Sequence, residues 1–368
     1  MDRLALQITS SLEETLKKTT KLVAAFAAAT LAFGIAPVAT AANSTKACLA
    51  LDTGGVDDKS FNASSWAGAQ AAAKANSAIK VEYLPAASSA DYKVNIKKFV
   101  DNKCDVIIGV GFAISGAIVE SAKANPSIKY AVVDDEALDH GADGSIWPGS
   151  KVANVKGLTF ATNESAFLAG YLAAGVTKTG KVATYGGAPY PTVTIFMDGF
   201  AKGVAYYNKV KGKSVQVLGW DPAKQTGEFI GDFANTTKAL QTSKNFEQAG
   251  ADIILPVAGG LGATTAQNSI ASKKSKVIWV DTDGFVSANK YRSVLLTSVM
   301  KGLGESVKSV INDVQAGKFT NSAYVGTLKN GGTKIAPYHD LIRAVPSALR
   351  GEIAKLGTAI SNGKVSVK

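Results

Sequence analysis

Histidine and cysteine each occur only twice in this chain of 368 residues, and that scarcity removes much of the catalytic repertoire. Neither His140 nor His339 has a second His or a Cys at metal-ligand spacing, so both read as surface or hinge residues. No Gly-x-Ser-x-Gly elbow is present to expose a nucleophilic serine. Gly175 to Val182 spells most of a phosphate-binding loop. However, Val182 stands where a Ser or Thr must hold Mg²⁺, and the segment leads from a helix into a strand, the reverse of the required order. Gly109 and Gly111 lack the third glycine of a dinucleotide fingerprint, because Ile114 takes its place. The formal charge is +11, yet the basic residues are scattered without clusters of four or interleaved aromatics. Nucleic acid is therefore not expected as a partner, and a solvated basic surface is. No metal or organic cofactor is implied anywhere, which moves weight from an enzyme toward a binding protein.

Near the N-terminus, Lys17, Lys18 and Lys21 precede the apolar run Leu22 to Ile35, and Ala39-Thr40-Ala41 follows. This is the order of a secretory signal peptide over residues 1–41, with cleavage expected between Ala41 and Ala42. The apolar run is shorter than the ~20 residues of a membrane span. Residues 1–16 lie upstream of the positive segment, and the hypothesis is that translation starts at Leu16 through an alternative codon. Initiation mapped to Met1 on a transcript that starts further upstream would refute it. Residues 1–41 carry four basic and three acidic residues, so the remainder keeps 36 and 26, a net charge of +10. Thr45-Lys46-Ala47 before Cys48 is not a lipobox. The expectation is an exported protein, at the outer face of the cell membrane or in a periplasm, without its own lipid anchor.

The chain length exceeds the ~100–200 residues usual for one domain, and strand and helix patterns alternate along it. Apolar strands are expected at Ala47–Leu51, Lys80–Leu84, Val106–Val110, Tyr130–Val133 and Val152–Phe160, with Ala-rich helices between the first four. The alternation restarts with a helix at Glu164–Gly175 and strands at Lys181–Tyr185, Val215–Trp220, Ile253–Val257 and Val277–Val280. Two βαβ series predict an α/β protein of two lobes, each a doubly wound parallel sheet. No Pro- or Ser-rich linker separates them. The expected division is 46–158 plus 282–320 for one lobe and 159–281 plus 321–368 for the other. Cys48 and Cys104 each begin an apolar strand. In a sheet of order 2-1-3-4-5 those strands are neighbours, so the pair can form a disulfide or remain two small buried hydrophobes.

One segment organises the first series: Asp52-Thr53-Gly54-Gly55-Val56-Asp57-Asp58-Lys59-Ser60-Phe61-Asn62. It follows a buried strand and precedes a helix, the place where α/β folds present ligand sites. Phe61 must fold into the core or face something that stacks on it. Asp57 and Asp58 read as helix-cap carboxylates.

This segment resembles the opening signature of the basic membrane protein family, the solute-binding proteins of ABC transporters whose best-defined branch is the purine-nucleoside receptors. The resemblance continues through Gly109-Val110-Gly111-Phe112, Ala131-Val132-Val133-Asp134, Asp198-Gly199-Phe200, Pro256-Val257-Ala258-Gly259-Gly260, Val280-Asp281-Thr282-Asp283 and Leu296 to Lys301. It implies a type I periplasmic-binding fold that encloses its ligand between lobes. It also implies a purine nucleoside of the inosine, guanosine or adenosine class as ligand, a membrane permease as partner, and a monomer. Carried over by residue, Phe61 stacks on one face of the purine and Phe233 on the other, with Phe229 the alternative. Asp52, Asn62 and Asp134 meet the base or ribose edges, and Gly259 and Gly260 let the backbone approach. Asp281 or Asp283, with Lys301, binds the ribose hydroxyls, since carboxylates only accept hydrogen bonds. At Asn235 the family usually has Asp. Two rivals stand beside this reading: a nucleoside-cleaving hydrolase with calcium held by Asp52, Asp57 and Asp58, and a binding protein for another small solute such as a sugar.

Overall fold

The computed structural model describes residues 44–367 except 142–144 and 146–147. The expected signal peptide and its cleavage site lie outside the described residues. The first βαβ series comprises β1 (Thr45–Leu51), α1 (Phe61–Ala75), β2 (Ile79–Leu84), α2 (Asp91–Asp101), β3 (Val106–Val110), α3 (Ser115–Ala124), β4 (Lys129–Val133) and β5 (Val155–Phe160). Then come α4 (Thr162–Val176), β6 (Lys181–Gly186), α5 (Pro191–Lys211), β7 (Gln216–Leu218), α6 (Thr236–Gln248) and β8 (Ile253–Val257). The chain closes with α7 (Gly262–Ser272), β9 (Lys276–Asp281), β10 (Leu295–Lys301), α8 (Leu303–Gln315), β11 (Tyr324–Gly326), β12 (Thr333–Ile335) and α9 (Ser347–Ser361).

Two six-stranded sheets result, with orders β11-β5-β4-β3-β1-β2 and β12-β10-β9-β8-β6-β7. The orders correspond strand for strand, so the second half repeats the architecture of the first. Within these two sheets all pairings are parallel except β10 with β12. Every residue of β3 and β8 is buried, as expected of central parallel strands covered by helices on both faces. Among the described residues, no helix is long and apolar enough to cross a membrane.

Helices press closely where glycine allows. A Cβ on Gly68 of α1 would lie 2.1 Å from the Gly304 carbonyl oxygen of α8, and one on Gly170 of α4 would lie 2.0 Å from that of Phe200 in α5. These two helix pairs occupy equivalent positions in the two lobes. Cys48 and Cys104 form a disulfide, with Cα atoms 6.1 Å apart, that ties the middle of β1 to the entry of β3.

The chain passes between the sheets after β5, after β10 and after β11. The expected return to the first lobe at residue 282 is therefore corrected to residue 302, because β10 stays in the second sheet. The segment 321–326 also changes sides, since β11 extends the first sheet beside β5. β10 was hard to read because Thr297 and Ser298 interrupt its apolar run. Both are buried and hydrogen-bonded: Thr297 Oγ1 donates to the Ala336 carbonyl at 2.7 Å, and Ser298 Oγ accepts from Gly284 N–H at 3.0 Å.

Candidate functional site

The carboxyl ends of the strands in both sheets face a common cleft, lined by the loop after β1, by Gly111, Phe112 and Asp134 of the first lobe, and by the loops after β6, β8 and β9 of the second. Of the sequence-predicted ligand residues, Asp52, Phe61, Asn62, Asp134, Phe233, Gly259, Gly260, Asp281 and Lys301 all line it.

The loop after β1 turns through Gly54 and Gly55, whose φ values of 100° and 78° are reached cheaply only by glycine. Its last turn is held by Asp58, whose carboxylate accepts from the backbone N–H of Ser60 at 2.9 Å, Asn62 at 2.8 Å and Ala63 at 3.0 Å. That geometry caps α1. Burial raises the Asp58 carboxyl to about 6 despite those three N–H groups. Asp57 is exposed and lies 3.7 Å from the Lys59 ammonium.

Asp52 ends the strand with Oδ1 accepting from the Tyr92 hydroxyl and from Thr53 N–H at 2.7 Å. Its carboxyl is raised by burial, against the pull of those bonds. Gly111 makes room for it: at φ 125°, a Cβ there would come within 2.5 Å of Asp52 Oδ2. Asn62 is 1% exposed, and its Nδ2 donates to the carbonyls of Asp52 at 3.3 Å and Thr53 at 3.2 Å. Among the described residues, its Oδ1 has no hydrogen-bond partner. Asn62 lines the cleft, so its buried carbonyl oxygen is an unused acceptor in the cleft wall, a costly arrangement without a partner.

Lys301 ends β10 and is 3% exposed in its side chain. Its Nζ donates to Asp134 Oδ2 of the first lobe at 2.5 Å and lies 3.8 Å from Asp281 Oδ1 of the second. Asp134 and Asp281 follow equivalent strands, β4 and β9, and both adopt φ 68°. Burial raises both carboxyls, opposed chiefly by the Lys301 charge. Ser60 Oγ donates to Asp281 Oδ2 at 2.6 Å, a second link between the lobes. The Lys59 carbonyl, at φ 58°, accepts from Thr282 Oγ1 at 3.0 Å and Ser287 Oγ at 2.8 Å.

Aromatic rings form the remaining walls. The Lys301 ammonium lies 5.3 Å from the Phe61 ring centroid and 4.9 Å from that of Phe196. Phe112 of the first lobe packs 5.5 Å from Tyr190 of the second, and Tyr190 packs 6.2 Å from Phe233. Phe233 is backed by Gly187, where a Cβ would fall 2.3 Å from the ring. Phe229 does not line the cleft; it packs edge-on against Trp220 at 6.1 Å and over Gly186. Asn235 caps α6, accepting from Lys238 N–H at 2.9 Å.

Asp283 is a correction. It does not line the cleft, because its Oδ1 caps a helical turn by accepting from Phe285 N–H at 3.1 Å and its Oδ2 lies 2.8 Å from His339 Nε2. The His339 ring stacks on Phe285 at 4.1 Å. Sequence reasoning overlooked Phe112, Tyr190, Thr192, Val193 and Phe196 as cleft residues. A signal for Tyr190 was available: it lies in the loop after β6, the counterpart in the second series of the loop after β1.

The Bmp family, described as "ABC transporter substrate-binding protein PnrA-like", matches residues 46–367. The chain is 34% identical over 300 residues to the CD4+ T-cell-stimulating antigen of Listeria monocytogenes, covering 77% of this chain and 74% of that one. It is 30% identical over 340 residues to the ABC transporter nucleoside-binding protein BmpA of Lactococcus lactis subsp. cremoris, covering 88% of each. Among solved structures, an ABC transporter solute-binding protein from Aeropyrum pernix K1 superposes with a TM-score of 0.74 at 21% identity, over 88% of this chain and 92% of that one. Sheet order, cleft and family match agree: the chain belongs to the PnrA-like family of ABC transporter substrate-binding proteins and has the two-lobed periplasmic-binding fold.

Proposed function

We propose that this substrate-binding protein captures a purine nucleoside between its lobes and passes it to a membrane permease. The observation that carries the reading is the combination of aromatic walls from both lobes with the unpaired Oδ1 of buried Asn62. A purine offers two flat faces to rings such as Phe61 and Phe233, and stacking is worth roughly 1–3 kcal/mol per base. Its N–H edge meets a carbonyl acceptor, and ribose hydroxyls meet the carboxylates of Asp134 and Asp281. Among the described residues, four carboxyl groups and one ammonium line the cleft, so a neutral nucleoside suits it better than a phosphorylated one. The Lys301–Asp134 and Ser60–Asp281 bonds join the lobes across the cleft, which supports closure around the ligand.

The hydrolase reading is disfavoured, because Asp58 accepts from three backbone N–H groups and Asp57 faces solvent. Export through residues 1–41 to the outer face of the cell membrane or a periplasm, and a monomeric state, complete the proposal.

Titration calorimetry with inosine, guanosine, adenosine, cytidine and ribose tests it. Binding of at least one purine nucleoside, with ribose far weaker, is expected. No heat with any purine nucleoside overturns the ligand assignment, and conversion to free base on long incubation makes the protein an enzyme instead.

A further inference from the structure

The cleft occupies the carboxyl-end edge of the second sheet. The opposite edge, where β6 to β10 begin, has a different character. Around it lie Lys178, Lys211, Lys213, Lys244, Lys273 and Lys274, all exposed. The carboxylates of that edge are turned inward. Asp252 accepts from Thr177 Oγ1 at 2.6 Å and from the backbone N–H of Lys178 at 2.5 Å and Thr179 at 3.2 Å. Glu247 is buried and accepts from Ser272 Oγ at 2.8 Å and Ser275 Oγ at 2.6 Å. Among the described residues, Glu352 is the carboxylate that reaches one of these lysines, pairing with Lys211 at 2.6 Å. The result is a face rich in solvent-exposed ammonium groups, with Asp252 and Glu247 engaged by the chain behind it and Glu352 offsetting Lys211.

The starting edge of the first sheet also carries exposed lysines, Lys74, Lys80, Lys98, Lys103 and Lys318. Exposed acids, Asp101 and Asp105, stand among them, however, and Lys46 pairs with Glu82 at 3.2 Å and Lys97 with Asp101 at 2.8 Å. The helix dipole favours cations at C-terminal helix ends, which accounts for Lys211 in the last turn of α5 and Lys273 just past α7. It does not account for Lys244, which precedes the last turn of α6, or for Lys178, Lys213 and Lys274, which stand in the loops beyond.

We propose that this pole of the second lobe docks on the surface of an anionic phospholipid bilayer. Flexible lysines spread over a face match a planar array of phosphate headgroups, where each basic residue adds roughly a fivefold gain in binding. A nucleic-acid partner calls for arginine forks or exposed rings to stack on bases. Here the neighbouring Tyr206 and Tyr207 pack instead against Tyr171, with centroids 6.1 Å and 5.1 Å away. Docking by this pole leaves the cleft, at the other edge of the sheet, uncovered. It would hold the carrier near a membrane permease whatever solute the cleft takes.

The test is co-sedimentation of the full chain with vesicles of phosphatidylcholine alone and of phosphatidylcholine with phosphatidylglycerol. Binding is expected only to the anionic vesicles, and it should disappear when salt is raised from about 0.05 to 0.5 M. The fourfold variant Lys178→Glu, Lys213→Glu, Lys273→Glu, Lys274→Glu should bind at least about 100-fold more weakly. A control with equal charge change elsewhere, Lys74→Glu, Lys80→Glu, Lys98→Glu, Lys318→Glu, should retain most of the binding, and thermal unfolding checks that both variants fold. Equal losses in the two variants would show that net charge alone acts. Absence of binding to anionic vesicles, or binding to soluble polyphosphate without binding to vesicles, would also overturn the proposal.

Discussion

Lys301, at the end of a strand in the second sheet, donates a hydrogen bond of 2.5 Å to Asp134, at the end of a strand in the first. Each carboxylate near this ammonium comes from the same place in one of the two repeated lobes. The pseudo-symmetry delivers two acids, and one lysine serves both. Removing the lysine leaves two buried carboxyls without their counter-charge. We expect Lys301→Met to destabilise the protein by roughly 3–5 kcal/mol. The double variant Lys301→Met/Asp134→Asn should recover part of the loss. Denaturant unfolding measures both, and a cost near zero for the single variant would mean that the ammonium is not needed to hold the pair.

Phe61 is the sharpest test of the ligand. Phe61→Ala should weaken purine nucleoside binding about 5- to 150-fold, the equivalent of roughly 1–3 kcal/mol. Ribose binding should change far less. Calorimetry on both ligands decides the matter, since equal losses would assign the ring a structural role.

The second aromatic is tested by contrasting neighbours. Phe233→Ala should reduce purine affinity, whereas Phe229→Ala should lower thermal stability and leave affinity nearly unchanged, because only Phe233 reaches the cleft. Gly187→Ala should resemble Phe233→Ala in its binding defect, since its Cβ would fall 2.3 Å from that ring and displace it. A Gly187→Ala variant with native affinity would show that the wall can give way.

Asp58 imposes a pH dependence of predictable sign. Its usual value of 3.8 is raised to about 6 by burial. Between those values the folded chain retains a proton that the unfolded chain releases. The resulting stabilisation is complete below pH 3.8 and is lost as pH rises through about 6. The loss is on the order of 3 kcal/mol. Asp52, Asp134 and Asp281 are raised in the same direction. Unfolding free energies from pH 4 to 7 should therefore fall more steeply for the native protein than for Asp58→Asn, whatever the loss of capping does to the absolute values. Parallel slopes would refute the assignment.

The Cys48–Cys104 bridge closes a loop of sequence separation 56. Reduction should cost roughly 2–4 kcal/mol of stability. Ligand affinity should survive, because the bridge ties mid-β1 to the entry of β3 whereas the cleft lies beyond the carboxyl ends of both strands. Calorimetry with and without reductant separates the two effects.

Local pattern determined most of the fold. Val106–Val110 and Ile253–Val257 are uninterrupted apolar runs, and a short apolar run between helical segments has few ways to be buried other than as a central parallel strand. The loop from Asp52 to Asn62 was legible as a ligand loop for a similar reason: a Gly-Gly turn between a buried strand and a helix leaves N–H groups and side chains at the strand's end. What the chain alone could not settle depended on distant partners. β10 was hidden because Thr297 and Ser298 look polar until the Ala336 carbonyl and Gly284 N–H are beside them. Asp281 and Asp283 are two residues apart and chemically identical. Only tertiary structure sends one to Lys301 and Ser60 in the cleft and the other to His339. The same holds for Phe229 and Phe233, which differ in whether the ring meets Trp220 or open cleft. Sequence specifies which groups exist and which strand ends carry them. Packing between lobes, acting over hundreds of residues of chain, decides which of them are left facing a ligand.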